Sequence, residues 1–268
     1  MSDWLGISGR VAVVTGGGGG IGRAICQTLA EAGARVAVLD LDAEGAAETV
    51  RLVKENGGEA MAVSADITSE ASVTTARDAI EAAFGPAQIL VNNAALVRNG
   101  ALKDLSLADW NAVITVNLTG FFVCSQVFGR RMMEQGGGSI VHVSSVAGVV
   151  PQPTSGAYSV SKAGVMMLSK NIAMEWGPSG IRSNVVSPAM VMTPMSAVIY
   201  RDPAVKERRE KSVPMRRIGQ PQDIADAICF LASDRATYIS GQEITCDGGW
   251  GTTLLATVPR PGFDQPAN

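Results

Sequence analysis

Short runs of apolar and β-branched residues alternate along the chain with longer segments whose apolar residues recur at helical spacing. The short runs predict seven strands, at residues 11–14, 36–39, 60–63, 89–91, 140–143, 183–186 and 243–245. The longer segments predict helices at residues 21–32, 46–55, 73–84, 107–133, 158–176 and 224–232. Nearly all-apolar strands that alternate with helices indicate a parallel sheet covered on both faces. We therefore expect one doubly wound α/β domain over residues 1–268.

Two segments depart from this alternation. Residues 188–214 carry methionines and no clear strand, so we interpret about 190–214 as an insertion that forms a lid over the substrate. The charged run 206–211 within it predicts a solvated helix face, with a partner-binding patch as the alternative. The segment 252–268 is rich in proline towards its end, and we expect it to be extended, either free or docked on a neighbouring subunit.

Composition and charge argue against several classes of protein. The 22 Lys and Arg residues against 25 Asp and Glu give a net charge of −3 without a basic tract, so the pattern of a nucleic-acid-binding protein is missing. Four scattered cysteines and one histidine support neither a disulfide framework nor a zinc site, and we expect no metal. Since no signal-peptide core and no apolar run of about 18 residues occurs, we expect a cytoplasmic protein without a membrane partner.

A glycine-rich turn joins the first predicted strand to the first helix, where residues 15–22 are Thr-Gly-Gly-Gly-Gly-Gly-Ile-Gly. Glycine allows positive φ and a close approach to a pyrophosphate, and the helix start beyond it offers free N–H groups. Five consecutive glycines can also form a flexible loop. The strand-turn-helix setting favours a dinucleotide site at Gly16, Gly20, Ile21 and Gly22.

Acidic residues follow the next two strands. Asp40 ends the second strand, where a carboxylate can accept both hydroxyl hydrogens of an adenosine ribose and repel a 2′-phosphate, which favours NAD over NADP. Asp40 and Asp42 could also cap the following helix, and Asp42 fits that role better. Asp66, after the third strand, is either a further helix cap or an adenine contact.

Tyr158 and Lys162 lie four positions apart in a predicted helix, so their side chains share one face. A tyrosine hydroxyl has a pKa of ~10, and we expect the ammonium, reinforced by an oxidised nicotinamide, to lower this pKa so that the phenol exchanges a proton with the substrate. Such pairs are also common on surfaces. Ser145 favours the catalytic interpretation, because it follows the fifth strand at the edge where parallel sheets bind ligands. We interpret His142 as a buried core histidine.

Six short motifs stand in a fixed order along the chain. They are Thr15-Gly-x-x-x-Gly20-x-Gly22, Asn92-Asn-Ala94, Asn117, Ser145, Tyr158-x-x-x-Lys162 and Pro188-x-x-x-x-Thr193. In order and approximate spacing they resemble the motifs of the classical short-chain dehydrogenase/reductase family, over about residues 8–251. The resemblance implies a seven-stranded Rossmann fold with strand order 3-2-1-4-5-6-7 and a homotetramer.

The resemblance also implies roles for individual residues. It makes Ser145 the group that orients the substrate oxygen, Tyr158 the acid or base, and Lys162 the ligand of the nicotinamide ribose. The resemblance implies that Asn117 bends its helix and binds a water, and that Asn92 stabilises the sheet. The further cofactor contacts that it implies are Asp66, Ile67, Asn93, Pro188, Val191 and Thr193.

Two positions depart from the family pattern. Ala95 and Ala189 stand where the family often has glycine, and each adds one methyl group near the cofactor without removing a chemical group. We therefore expect an altered shape and retained activity.

The substrate depends on the pocket walls, for which the candidates are mostly apolar. They are Leu96, Val97, Val146, Val149, Val150, Met190, Met192, Met195 and Trp250, any of which could instead be core or interface residues. An apolar pocket favours a hydrophobic or aromatic secondary alcohol over a sugar. We therefore expect an NAD-dependent oxidoreductase of small-molecule alcohols and ketones. The alternatives are a 3-oxoacyl thioester reductase, whose acidic carrier protein Arg130 and Arg131 could meet, and an NAD-binding protein without activity.

Overall fold

The carboxyl edge of a parallel sheet organises the protein, which is described here from a computed structural model covering residues 3–254 and 258. The sheet has seven strands in the order β3-β2-β1-β4-β5-β6-β7, and every neighbouring pair is parallel. The strands are β1 Val11–Thr15, β2 Arg35–Asp40, β3 Glu59–Ser64, β4 Ile89–Asn92, β5 Gly138–Val143, β6 Ile181–Pro188 and β7 Glu243–Cys246. All seven predicted strands and the predicted strand order are confirmed.

Helices connect the strands and cover both faces of the sheet. They are α1 Gly20–Glu31, α2 Ala43–Glu55, α3 Glu70–Phe84, α4 Leu107–Ile114, α5 Gly120–Glu134, α6 Tyr158–Trp176, α7 Pro203–Ser212 and α8 Pro221–Ala232. The single helix predicted over residues 107–133 is divided, because a π-helical turn at Thr115–Thr119 separates α4 from α5. The predicted insertion forms a 3₁₀ turn, Ala197–Arg201, followed by α7.

The core consists of two apolar layers, one on each face of the sheet. Alternate residues of β1 enter opposite layers: Val11 and Val13 pack into one, and Ala12 and Val14 into the other. Helices α3, α5 and α6 close the layer that contains Val11 and Val13. Helices α1, α2 and α8 close the layer that contains Ala12 and Val14. Burial on both faces explains why the inner strands β1, β4 and β5 are apolar almost throughout, whereas most of the helices are apolar on one side.

A chain of buried polar side chains runs through the sheet beneath its carboxyl edge. The Nδ2 of Asn92 donates to Ser125 at 3.0 Å and lies 3.2 Å from Nδ1 of His142, whose Nε2 lies 3.2 Å from Ser183. Ser183 in turn contacts the Ser169 hydroxyl at 2.9 Å. Burial lowers the pKa of His142 to about 3, so the ring is neutral at physiological pH. The structure agrees with the interpretation of His142 as a core residue.

Two sequence-level expectations concern membranes and metals. The helical stretch Leu107–Glu134 has the length and apolar composition of a membrane span, and half of its most apolar window is buried inside the fold. A core helix meets the same criteria. Among residues 3–254 and 258, no group of three or more His, Cys, Asp or Glu side chains is arranged to hold a metal ion. Most of the tail predicted at 252–268 lies outside the described residues.

Candidate active site

A groove with a volume of about 1380 Å³ runs along the carboxyl edge of the sheet. Its walls include three of the four predicted catalytic residues and every predicted cofactor-binding residue. These are Gly16, Gly20, Ile21, Gly22, Asp40, Asp66, Ile67, Asn93, Ser145, Tyr158, Lys162, Pro188, Val191 and Thr193. The fourth predicted catalytic residue, Asn117, is fully buried and does not line the groove.

The glycine turn has the shape that a pyrophosphate requires. Gly16 and Gly20 adopt φ values of +64° and +54°, which favour glycine. A Cβ on Gly22 would lie 2.0 Å from the carbonyl oxygen of Gly16, so the turn and the start of α1 pack without room for a side chain. A Cβ on Gly19 would meet no atom within 4 Å. The backbone of Gly19 therefore faces open space in the groove, where a dinucleotide phosphate can approach it closely.

Asn93 holds this turn in place. Its Nδ2 donates to the carbonyl oxygens of Thr15 and Gly16, both at 3.0 Å, and its backbone N–H donates to the Thr15 hydroxyl at 3.0 Å. Asn93 lines the groove as predicted, but its amide N–H₂ serves the protein's own backbone. Sequence spacing alone does not distinguish a residue that contacts the cofactor from one that supports the cofactor's cradle.

Asp40 and Asp42 occupy different places after β2, and the capping role predicted for Asp42 is confirmed. Asp42 caps α2 by accepting the backbone N–H of Gly45 at 3.1 Å. Asp40 lines the groove, where its Oδ2 accepts the N–H of Gly18 at 2.8 Å and its Oδ1 the N–H of Asp42 at 2.9 Å. These two bonds fix the carboxylate beside the glycine turn and leave acceptor capacity on both oxygens.

Asp66 is not the cap of α3, since that role belongs to Ser69. The Oδ1 of Asp66 accepts both the backbone N–H and the hydroxyl of Thr68, at 2.9 and 2.7 Å. Asp66, Ile67 and Thr68 all line the groove. Of the two interpretations of Asp66, the adenine contact therefore fits its position better.

Lys162 lies at the base of the groove with only 1% of its surface exposed. Its ammonium donates to the carbonyl oxygen of Val143 at 2.8 Å and lies 5.2 Å from the ring centre of Phe121 and 5.6 Å from that of Tyr158. Burial lowers the pKa of Lys162 to about 7. The lysine is thus fixed near the phenol by the end of β5, as the helical spacing predicts.

The pKa of Tyr158 differs from the expectation that Lys162 acidifies the phenol. In the protein by itself burial raises this pKa, and a hydrogen bond with the side chain of Ser145 acts in the opposite direction. The reason is geometric, since the lysine points at a backbone carbonyl and is itself destabilised as a cation by burial. An acidic phenol is therefore not a property of this residue pair alone.

Asn117 acts from behind the groove. It lies in the π-helical turn, and its Nδ2 donates to the Ser161 hydroxyl at 3.2 Å, next to Lys162 on α6. Its amide also bonds both backbone groups of Leu96, a groove residue. A π-helical turn lies where the resemblance implies a bend in the helix.

The substrate half of the groove is more polar than predicted. Of the predicted walls, Val149 and Met192 do not line it, whereas Leu96, Val97, Val146, Val150, Met190, Met195 and Trp250 do. Sequence reasoning missed the lining residues Asn99, Gln152, Tyr200, Arg208 and Arg209. The last three belong to the insertion, whose charged run resembles an ordinary solvated helix in sequence.

Comparison with known proteins identifies the family. A family model described as enoyl-(acyl carrier protein) reductase matches residues 16–251. D-threitol dehydrogenase of Mycolicibacterium smegmatis is 41% identical over 244 residues, which cover 91% of this chain and 94% of that protein. Cis-4-hydroxycyclohexanecarboxylate dehydrogenase of Sinomonas cyclohexanicum is 41% identical over 242 residues, covering 90% and 96%.

A solved structure agrees with these relatives. The gluconate 5-dehydrogenase of Burkholderia cenocepacia J2315, in complex with NADP and tartrate, superimposes with a TM-score of 0.89 at 34% identity and covers 94% of this chain and 99% of that one. The groove described above, the match over residues 16–251 and these relatives together establish the family. The chain belongs to the classical short-chain dehydrogenase/reductase family, and it is an oxidoreductase that acts on alcohol groups with a nicotinamide cofactor.

Proposed function

We propose that the protein is an NAD-dependent dehydrogenase that interconverts a secondary alcohol with an apolar body and the corresponding ketone. The observation that carries this proposal is that Ser145, Tyr158 and Lys162 line the same groove as the glycine turn. A substrate oxygen that reaches Ser145 and Tyr158 is therefore in the same cavity as the dinucleotide.

The side chains of the site divide the work of moving a proton. The Ser145 hydroxyl hydrogen-bonds the substrate oxygen and, with Tyr158, fixes its position. Tyr158 accepts the hydroxyl proton when the alcohol is oxidised and returns it when the ketone is reduced. When bound, the nicotinamide cofactor accepts or donates the hydride. Lys162 would hold the cofactor's ribose, and its charge together with that of an oxidised nicotinamide would favour the phenolate over the phenol.

The preference for NAD over NADP rests on Asp40. Its carboxylate is fixed beside Gly18 and can accept the hydroxyl hydrogens of a ribose, whereas a 2′-phosphate placed there would be repelled. The next residue, Leu41, lines the groove with an apolar side chain that gives a phosphate no charge partner. Arg23, which lies near this end, directs its donors at Gly18, Gly45 and Thr49.

The reductase of carrier-bound thioesters is the weaker candidate. Such a reductase needs a basic surface that binds an acidic carrier protein, and Arg130 and Arg131 are the candidates for this surface. Arg131 is paired with Glu81 at 3.0 Å and also with Glu134, so its charge is compensated within the protein. Arg130 is exposed and has no ion pair among the described residues, so only one of the two candidate cations is compensated. The dehydrogenase is favoured instead because both relatives described above are dehydrogenases. The homotetramer and the cytoplasmic location stay predictions.

The experiment that tests the proposed function compares Tyr158→Phe with Tyr238→Phe across a panel of cyclic and aromatic secondary alcohols with NAD. Tyr238 is fully exposed, so its variant controls for the loss of a phenolic hydroxyl elsewhere. We expect Tyr158→Phe to lower kcat on the order of 10²- to 10⁴-fold and Tyr238→Phe to leave it unchanged. Equal turnover by both variants would contradict the role of Tyr158. NAD binding without turnover of any alcohol or ketone would favour the non-catalytic alternative.

A further inference from the structure

The charged helix α7 holds two cations that its own acids do not neutralise. Lys206 lies 3.7 Å from Glu210, and Lys211 lies 2.6 Å from Glu207, so both lysines are matched with both glutamates along the helix. Arg208 and Arg209 form no ion pair with any residue of the described chain, and both line the groove. A cation that faces a cavity without a carboxylate is free to bind an anion from outside the protein.

Arg209 is held in position by an aromatic ring. Its guanidinium carbon lies 5.6 Å from the ring centre of Tyr200, and its Nη1 donates to the Tyr200 hydroxyl at 3.5 Å. Tyr200 is only 9% exposed and lines the groove as well. A stacked arginine loses less freedom when it binds a ligand, and its planar donors match the two oxygens of a carboxylate.

The charges that line the groove are separated along its length. Asp40 and Asp66 follow β2 and β3, on one side of β1, where the adenosine half of the dinucleotide is proposed to bind. Lys162, Arg208 and Arg209 come from segments that follow β5 and β6, on the opposite side of β1. The basic end is therefore the half that contains Ser145 and Tyr158, and it faces the substrate.

We propose that Arg208 and Arg209 form a subsite for a carboxylate of the substrate, so that the preferred substrate is a secondary alcohol bearing a carboxylate. This inference rests on the proposed function and narrows its substrate class. The apolar walls contact the body of such a molecule, Ser145 and Tyr158 its hydroxyl, and the two arginines its charge.

A binding experiment tests the subsite without requiring turnover. Cyclohexanecarboxylate and the uncharged cyclohexanecarboxamide are each titrated calorimetrically into the full-length protein saturated with NAD. We expect the carboxylate to bind at least tenfold more tightly to the wild type, and Arg209→Gln to abolish most of this preference. Arg209→Lys, which retains the charge, should keep part of it. Equal affinity of the wild type for both compounds overturns the proposal.

Arg201→Gln is the matched control, because Arg201 is an exposed arginine of the same insertion that does not line the groove. It removes the same charge and should leave the preference unchanged. If Arg201→Gln lowers the preference as much as Arg208→Gln or Arg209→Gln, the effect is general electrostatics and the specific subsite is wrong. Thermal unfolding of each variant establishes that it is folded before its affinity is compared.

Kinetic measurements distinguish whether the two arginines bind the carboxylate of the substrate or the phosphates of the cofactor. With hydroxycyclohexane carboxylates and their carboxamides as substrates, we expect Arg209→Gln to lower kcat/KM about 10- to 100-fold for the acids alone and to leave the KM for NAD unchanged. A raised KM for NAD with equal losses for both substrates assigns the arginines to the cofactor phosphates and overturns the proposal. Failure of the proposed function would instead appear as unaltered turnover in Tyr158→Phe.

Discussion

Asn117 holds both backbone groups of Leu96: its Oδ1 accepts the Leu96 N–H at 2.7 Å, and its Nδ2 donates to the Leu96 carbonyl oxygen at 2.9 Å. Leu96 lines the groove and Asn117 does not. The π-helical turn that carries Asn117 therefore fixes one wall of the groove from within the core. In this structure Asn117 is a positioning residue, because it acts on the site through the loop after β4.

Replacing Asn117 with Ala should destabilise the protein by about 2 kcal/mol, because two part-buried backbone groups of Leu96 lose their partner. The displaced loop should also raise KM for the alcohol more than it lowers kcat. Urea unfolding and steady-state kinetics measure the two effects. Asn111→Ala, at an exposed position of α4, should alter neither quantity appreciably. A variant with wild-type stability and reduced kcat alone would point to direct participation in catalysis.

Substitution of Asp40 should change the choice of cofactor. We expect Asp40→Ala to weaken NAD binding roughly tenfold and to improve NADP binding, since the ribose loses its acceptor and the 2′-phosphate its repulsion. KM values for the two cofactors report this directly. Asp42→Ala should instead cost about 1 kcal/mol of stability through the lost helix cap and leave the cofactor ratio unchanged. A wild-type preference for NADP would refute the assignment of Asp40.

Two glycines of the same turn should respond oppositely to a methyl group. Gly22→Ala places a Cβ against the Gly16 carbonyl oxygen and should lower the thermal unfolding midpoint. Gly19→Ala meets no protein atom, so it should leave the midpoint unchanged and weaken binding of the dinucleotide, which has to share that space. Thermal unfolding and cofactor titration on both variants distinguish the two effects. An unaltered cofactor affinity in Gly19→Ala would contradict the placement of the cofactor phosphates at this turn.

His142 should make stability depend on pH below neutrality. Its pKa is lowered from 6.5 to about 3 by burial, so between these values the unfolded chain binds a proton that the folded chain does not. Stability contributed by the neutral ring is therefore lost as pH falls, by about 2 kcal/mol between pH 7 and pH 5. The difference in unfolding free energy between the wild type and His142→Gln should shrink by that amount over this interval. His142 is the one histidine of the chain, so no other imidazole contributes.

The fold was largely predictable because strands buried on both faces carry a strong apolar signal. The seven strands and their order follow from that signal and from the resemblance. The division of the helix at Thr115–Thr119 left no trace in the apolar spacing, since a π-helical turn changes the backbone register and needs no glycine or proline. The charged run in α7 was interpreted as a solvated helix face, and because the helix lacks an apolar face, nothing in its sequence indicated that it lines the groove.

The candidate site was predictable where chemistry is local in sequence. Spacing placed Tyr158 beside Lys162, and the glycine turn beside Asp40. Spacing could not show that Lys162 would be directed at Val143, nor that burial would raise the pKa of Tyr158, because both depend on the three-dimensional surroundings. Arg209 was missed for the same reason, since its contact with Tyr200 depends on the three-dimensional structure of the insertion.

The wide turn at Thr115–Thr119 also bears on how this protein can be re-engineered. Shortening it by one residue would restore an unbroken α-helical register between α4 and α5, and it would withdraw the Asn117 amide from Leu96 without substituting Ser145, Tyr158 or Lys162. A deletion of this kind changes the position of the groove wall around Leu96 without substituting the residue there. It offers a route to reshaping which alcohols fit while the proton-transferring groups stay intact.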